Sequence, residues 1–108
     1  MSGRLPSGLL VSTMLRRTND AGGFGVVLAR GDEQGGAILA IVAEPGGAER
    51  LVERGLGATG RVALIDSTPV DDLAGYWQRR RARDPDLWVI ELQVAGAERL
   101  VAETIAAD

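Results

Sequence analysis

Arg79, Arg80, Arg81 and Arg83 crowd one short stretch of this 108-residue chain, with Tyr76 and Trp77 immediately upstream. Guanidinium groups clasp phosphates and carboxylates in bidentate fashion and stack on flat groups, and aromatic neighbours extend such a surface. The local positive charge runs against the whole, because 12 basic residues face 15 acidic ones for a net charge of −3. Arg16 and Arg17 form a second basic pair that joins the first if the helices carrying them pack side by side. Two readings stand open. The cluster is a surface for an anionic partner, an acidic protein or a nucleic acid, or it is a solvated helix end that offsets the helix dipole and pairs with Asp71, Asp72 or Asp84.

Carboxylates come in the pairs Asp32-Glu33, Asp71-Asp72 and Asp84-Pro85-Asp86. Paired carboxylates can hold Mg²⁺ or Ca²⁺ or share acid–base work, so a small Mg-dependent enzyme is the rival reading. Each pair also has a plainer local role: a solvated turn, a helix N-terminus and a helix stop. The string Gly55-Leu56-Gly57-Ala58-Thr59-Gly60 fits G-x-G-x-x-G literally. A dinucleotide site needs a helix after that string, and Arg61-Val62-Ala63-Leu64-Ile65-Asp66 is β-type instead, so a connecting loop is expected and no cofactor.

The chain has neither cysteine nor histidine, and all of its basic residues are arginine. Disulfides, thiolate nucleophiles, zinc sites of the usual N/S type, imidazole catalysis and Schiff-base lysines are thereby excluded. No apolar stretch approaches a membrane span, and the apolar run near the start ends at Arg16-Arg17 without a cleavage signal; a cytoplasmic protein is expected.

Positioning these groups requires a core, and 45% hydrophobic against 25% charged residues can build one in a single domain over 1–108. With aromatics at only 4%, that core must come from Leu, Val, Ile and Ala, with Phe24, Tyr76, Trp77 and Trp88 as its large pieces. Val11, Met14, Leu15 and Thr18 recur at helical spacing, predicting a helix over 8–21 that stops at Gly22-Gly23. The runs Phe24 to Arg30 and Ala37 to Glu44, separated by the turn-rich Gly31 to Gly36, predict a β-hairpin. Residues 48–54 fit a strand or a short helix, and Arg61 to Asp66 a strand. A helix is predicted from Thr68, with Pro69 at its first position, to Arg83, ended by Asp84-Pro85. Leu87 to Val94 alternates as a strand, burying Trp88, Ile90, Leu92 and Val94. The echo between Gly-Gly-Ala-Glu-Arg-Leu-Val-Glu-Arg at 46–54 and Ala-Gly-Ala-Glu-Arg-Leu-Val-Ala-Glu at 95–103 hints that both segments share one conformation.

Leu15-Arg16-Arg17, Arg30-Gly31-Asp32 and Arg83-Asp84-Pro85-Asp86-Leu87-Trp88, in this order, resemble the bacterial family called domain of unknown function 1491. The resemblance covers nearly the whole chain and is weakest between Gly46 and Asp66. It implies a small bacterial intracellular protein and carries over no catalytic residue. The expected architecture is α+β: a mainly antiparallel sheet of four or five strands with both predicted helices packed on one face. The expected function is a non-catalytic binding or adaptor module whose surface comprises Arg79, Arg80, Arg81, Arg83, Arg16 and Arg17; a structural homodimer through exposed sheet edges is a third reading.

Overall fold

The computed structural model describes residues 5–106, which run α1 (Ser7–Asp20), β1 (Phe24–Ala29), β2 (Ile38–Ala43), β3 (Arg50–Leu56), β4 (Val62–Asp66), α2 (Leu73–Arg83), β5 (Trp88–Gln93) and α3 (Ala97–Val101), the last continuing into a π-helical turn (Ala102–Ala106). The strands form one five-stranded sheet in the order β1-β5-β2-β3-β4. Three neighbour pairs are antiparallel; β2 and β5 alone are parallel. The α+β class and the mostly antiparallel sheet follow the sequence reading. No helix among the described residues is long and apolar enough to cross a membrane.

Strand β5 sits in the interior of the sheet because its sequence can be buried on both sides. Trp88, Ile90 and Leu92 point to one face and Val89 to the other, all at or below 2% exposure. Strand β2 (Ile-Leu-Ala-Ile-Val-Ala) is buried at all six positions, as a near-continuous apolar run should be inside a mixed sheet. The expected hairpin does not form: β1 and β2 do not pair, because β5 lies between them. The linker Gly31 to Gly36 steps over the start of β5 instead of turning back on β1, and Asp32 N–H donates to the Asp86 carbonyl there at 2.9 Å.

The helices divide between the two faces, correcting the expectation that both predicted helices share one. Helix α1 buries Val11, Met14 and Thr18 against Ile90, Leu92, Ala40 and Val42, joined by Leu100, Val101 and Ile105 of α3 and its π-turn. Its Ser7 and Gly8 N–H groups donate to the Gln34 and Glu33 carbonyls, so the linker caps the helix. Helix α2 lies on the opposite face, over Leu39, Ile41, Leu51, Leu87 and Val89, and offers only the half-buried Leu73, Tyr76 and Trp77. It begins at Leu73, four residues later than the expected first position at Pro69: Asp72, at φ +49°, caps it by accepting the Gly75 N–H at 3.0 Å. Thr68 instead accepts the Leu51 N–H and donates to Asp66, finishing β4. Val70, expected on the core face, is fully exposed, and Phe24, expected in the core, is 55% exposed on the edge strand β1.

The echoed pentapeptide Ala-Glu-Arg-Leu-Val takes two conformations. Residues 50–52 are strand β3, whereas 97–101 are helix α3. The residues on the C-terminal side of each copy decide between them. Gly55 and Gly57 disfavour a helix after the first, while Ala102, Glu103 and Ile105 extend one after the second. The copies touch, since Arg50 of the first bridges Glu98 of the second at 2.7 Å. The Gly55 to Gly60 string is the end of β3 and a tight hairpin closed by Gly57 N–H to the Arg61 carbonyl at 2.8 Å, with Gly60 at φ +81°.

Candidate functional site

The four α2 arginines do not act alike. Arg80 turns inward and binds Glu53 of β3 through both guanidinium arms, at 2.6 and 3.0 Å, with the Tyr76 hydroxyl at 3.5 Å from the first. Ser67 donates its hydroxyl to the same carboxylate. Partial burial opposes ionisation of Glu53, yet the hydrogen bonds from Arg80 and Ser67 and the charge of Arg80 outweigh it and hold the carboxyl below its usual range. The hydrogen bond to Glu53 likewise lifts the pKa of Arg80 further above its ordinary value, against the effect of burial. This pair pins a helix that buries little apolar surface. Sequence reading missed it because Glu53 stands alone in the chain, 27 residues from Arg80, and nothing local marks it.

Arg81 faces the other flank, one arm donating to the Arg30 carbonyl at 2.8 Å; its buried Nε has no hydrogen-bond partner. Arg79 and Arg83 stand four residues apart on the exposed side of the helix. Arg79 comes no nearer to a carboxylate than 3.9 Å, at the exposed Asp72, and Arg83 forms no ion pair among the described residues. Arg16 and Arg17 lie on α1 across the sheet, where Arg17 pairs with Glu103 at 2.8 Å. They do not join the α2 cluster; side-by-side helices were the condition, and the sheet separates them.

A residue not singled out as a site joins the cluster from the end of β1. The Arg30 guanidinium lies over the Trp88 ring, 5.2 Å from its centroid, and reaches Glu33 at 2.6 Å. Here the segments Arg30-Gly31-Asp32 and Arg83 to Trp88 converge: the Trp88 indole N–H donates to the Asp32 carbonyl at 2.8 Å. Nearby acids are occupied by the backbone. The Asp32 carboxylate accepts the N–H groups of Gln34 and Gly35, and that of Asp84 accepts the Asp86 N–H. The acids therefore build turns, while among the described residues Arg79, Arg81 and Arg83 lack a close carboxylate.

Among the described residues no three acidic side chains converge so as to hold a metal ion. Two depressions among the described residues bear on a ligand site. One lined by Leu10, Ile38, Arg54 and Ile105 encloses about 170 Å³, and a larger one beside Arg17, Asp20, Arg99 and Glu103 lies open and carries both signs of charge.

The family model described as "Protein of unknown function (DUF1491)" matches residues 5–102. A crystal structure of a DUF1491 family protein from Caulobacter crescentus superposes with a TM-score of 0.76 at 28% identity, covering 94% of this chain and 99% of that one. A solution structure of a protein of that family from the same organism gives 0.73 at 28% identity, covering 95% and 97%. A solution structure of a protein from A. tumefaciens gives 0.67 at 28% identity, covering 84% and 86%. No curated protein matches the chain.

Proposed function

The chain belongs to the DUF1491 family, and from that premise we propose that it is a binding or adaptor module that recognises an anionic partner through the arginine-rich end of α2. One observation carries the reading: of the four clustered arginines, only Arg80 has a carboxylate holding both arms, leaving Arg79, Arg81 and Arg83 for an external anion. An internally satisfied cluster would have been a structural device; this one is a structural pin plus two exposed guanidinium groups, Arg79 and Arg83, and a third, Arg81, that has one arm engaged on the Arg30 carbonyl and no carboxylate partner among the described residues. Their position in the last turns of α2 also sets them near its negative dipole end, which steadies the cations without consuming their hydrogen-bond donors.

Fluorescence anisotropy with a labelled polyglutamate peptide and a labelled single-stranded oligonucleotide tests it. Binding at low salt is expected for one of the two, and the double variant Arg79→Ala, Arg83→Ala loses it. On a single strand, three arginines give a plot of log K against log salt with a slope of about −2. Absence of binding to either probe at low salt overturns the proposal.

A further inference from the structure

The arginine cluster borders an open sheet edge. Among the described residues strand β1 has β5 on one side and no strand on the other, and outside that pairing no backbone bond of a loop or turn reaches 24–29. Folded proteins guard such edges with charges, prolines or a covering element. Here Phe24-Gly25-Val26-Val27-Leu28-Ala29 holds neither charge nor proline. Phe24 and Leu28 are 55% and 39% exposed. Phe24 lies with Val26 on the α2 face, because they stand opposite Gln93 and Glu91, which alternate with the inward Leu92. Leu28 is the extra residue where the register shifts between Val27 and Ala29, so regular pairing along this edge runs from Phe24 to Val27 and ends at an exposed leucine.

Charge is graded along this edge. Beside its middle stands the half-buried Glu91; at its C-terminal end stand Arg30, which bridges the exposed Glu33, and Arg81, which holds the Arg30 carbonyl and has no carboxylate partner among the described residues. We infer that the edge of β1 receives an extended acidic polypeptide segment, which adds antiparallel to β1 with alternate apolar residues over Phe24 and Val26, a further one against Leu28, and acidic residues at its N-terminal end against Arg30 and Arg81. Main-chain hydrogen bonds give such strand addition its affinity, and the side-chain row gives its specificity. Glu91 disfavours acids mid-strand, and the arginines favour them at the end. This rests on the anionic-partner reading and narrows it to protein.

Random twelve-residue segments displayed on phage are selected against the whole chain. Enriched sequences should carry acidic residues followed by apolar residues at every second position. A synthetic peptide of the enriched sequence should weaken at least about tenfold on Phe24→Lys, on Leu28→Lys, on Arg30→Ala with Arg81→Ala, and on a proline placed at its centre, since each removes strand pairing or its charge partner. Phe24 and Leu28 are exposed, so both lysine variants should keep the wild-type circular dichroism spectrum. The inference is overturned by no enrichment or enrichment without this pattern, by peptides that bind Phe24→Lys and Leu28→Lys normally, or by sedimentation equilibrium showing a wild-type dimer that Leu28→Lys dissociates, which gives the edge to a second copy. Loss of binding on Arg79→Ala with Arg83→Ala while the lysine variants bind normally rejects the strand-addition site and leaves the anionic-partner reading intact. Oligonucleotide binding without peptide binding does the same in favour of nucleic acid.

Discussion

Gly36 packs so tightly on the carbonyl oxygen of Asp86 that a β-carbon at residue 36 would overlap that oxygen, and one at Gly31 would overlap the same atom. Two glycines of the linker thus close on one backbone oxygen at the mouth of β5. The contact is with backbone, so no side-chain rotation relieves it.

Gly36→Ala should therefore destabilise the protein by about 2 kcal/mol or more through a forced backbone shift, whereas Gly35→Ala, where a β-carbon meets nothing within 4 Å, should change stability by no more than about 0.5–1 kcal/mol. Urea denaturation of the two variants side by side measures the contrast. Equal midpoints would show that the linker is not clasped to β5.

Trp88 separates two contributions. Trp88→Ala removes a large side chain that is 2% exposed and should cost about 3–5 kcal/mol. Trp88→Phe keeps most of the apolar bulk but leaves the Asp32 carbonyl without its indole donor, for a cost of about 1–3 kcal/mol. Denaturant midpoints for the pair give the share belonging to the hydrogen bond.

Glu53 links stability to pH. Its folded-state pKa lies below the ordinary value of 4.5, so the native carboxylate holds its proton less tightly than the unfolded one. The stability it contributes is complete above about pH 4.5 and is lost as pH falls through the lower, folded value. Glu53→Gln should flatten this acid limb, and Arg80→Ala should cost about 1.5–3 kcal/mol near neutrality by leaving a carboxylate with 18% side-chain exposure unpaired. Thermal melts across an acid pH series check both, and an unchanged acid limb in Glu53→Gln would assign it to other carboxylates.

Arg79 and Arg83 should behave differently from Arg80. Arg79 is exposed with one long contact to Asp72, and Arg83 is exposed without an ion pair among the described residues. Their replacement by alanine should change stability by less than about 1 kcal/mol. Melting curves recorded alongside the binding assays keep loss of function distinct from loss of fold.

Local periodicity made much of this fold legible. The Val11, Met14, Thr18 spacing located α1 to within a residue at each end, and the alternation of Trp88, Ile90 and Leu92 located β5 and its buried face. Partnership was not legible in the same way. Phe24 to Arg30 and Ala37 to Glu44 look like a hairpin because nothing between them announces that a strand from much later in the chain will enter. Ala-Glu-Arg-Leu-Val carries no intrinsic choice between strand and helix strong enough to resist its surroundings. The arginine cluster was visible as composition, but its division into Arg80, bound to Glu53, and the rest depends on a contact between β3 and α2 that no local pattern encodes.

Because the interior strand β5 is the last of the five to be synthesised, β2, β3 and β4 can pair in order as an antiparallel meander, but β1 cannot join them until the end. Until the chain extends through Gln93, β1 has no partner and β2 lacks its parallel neighbour, although its six residues are all destined for the interior. A nascent or truncated chain must leave the β5-facing edge of that apolar strand open, and an open edge is prone to pair with the wrong strand. Assembly is thus a meander of three strands laid down in order and completed by a final tooth, β5, that slots between it and β1.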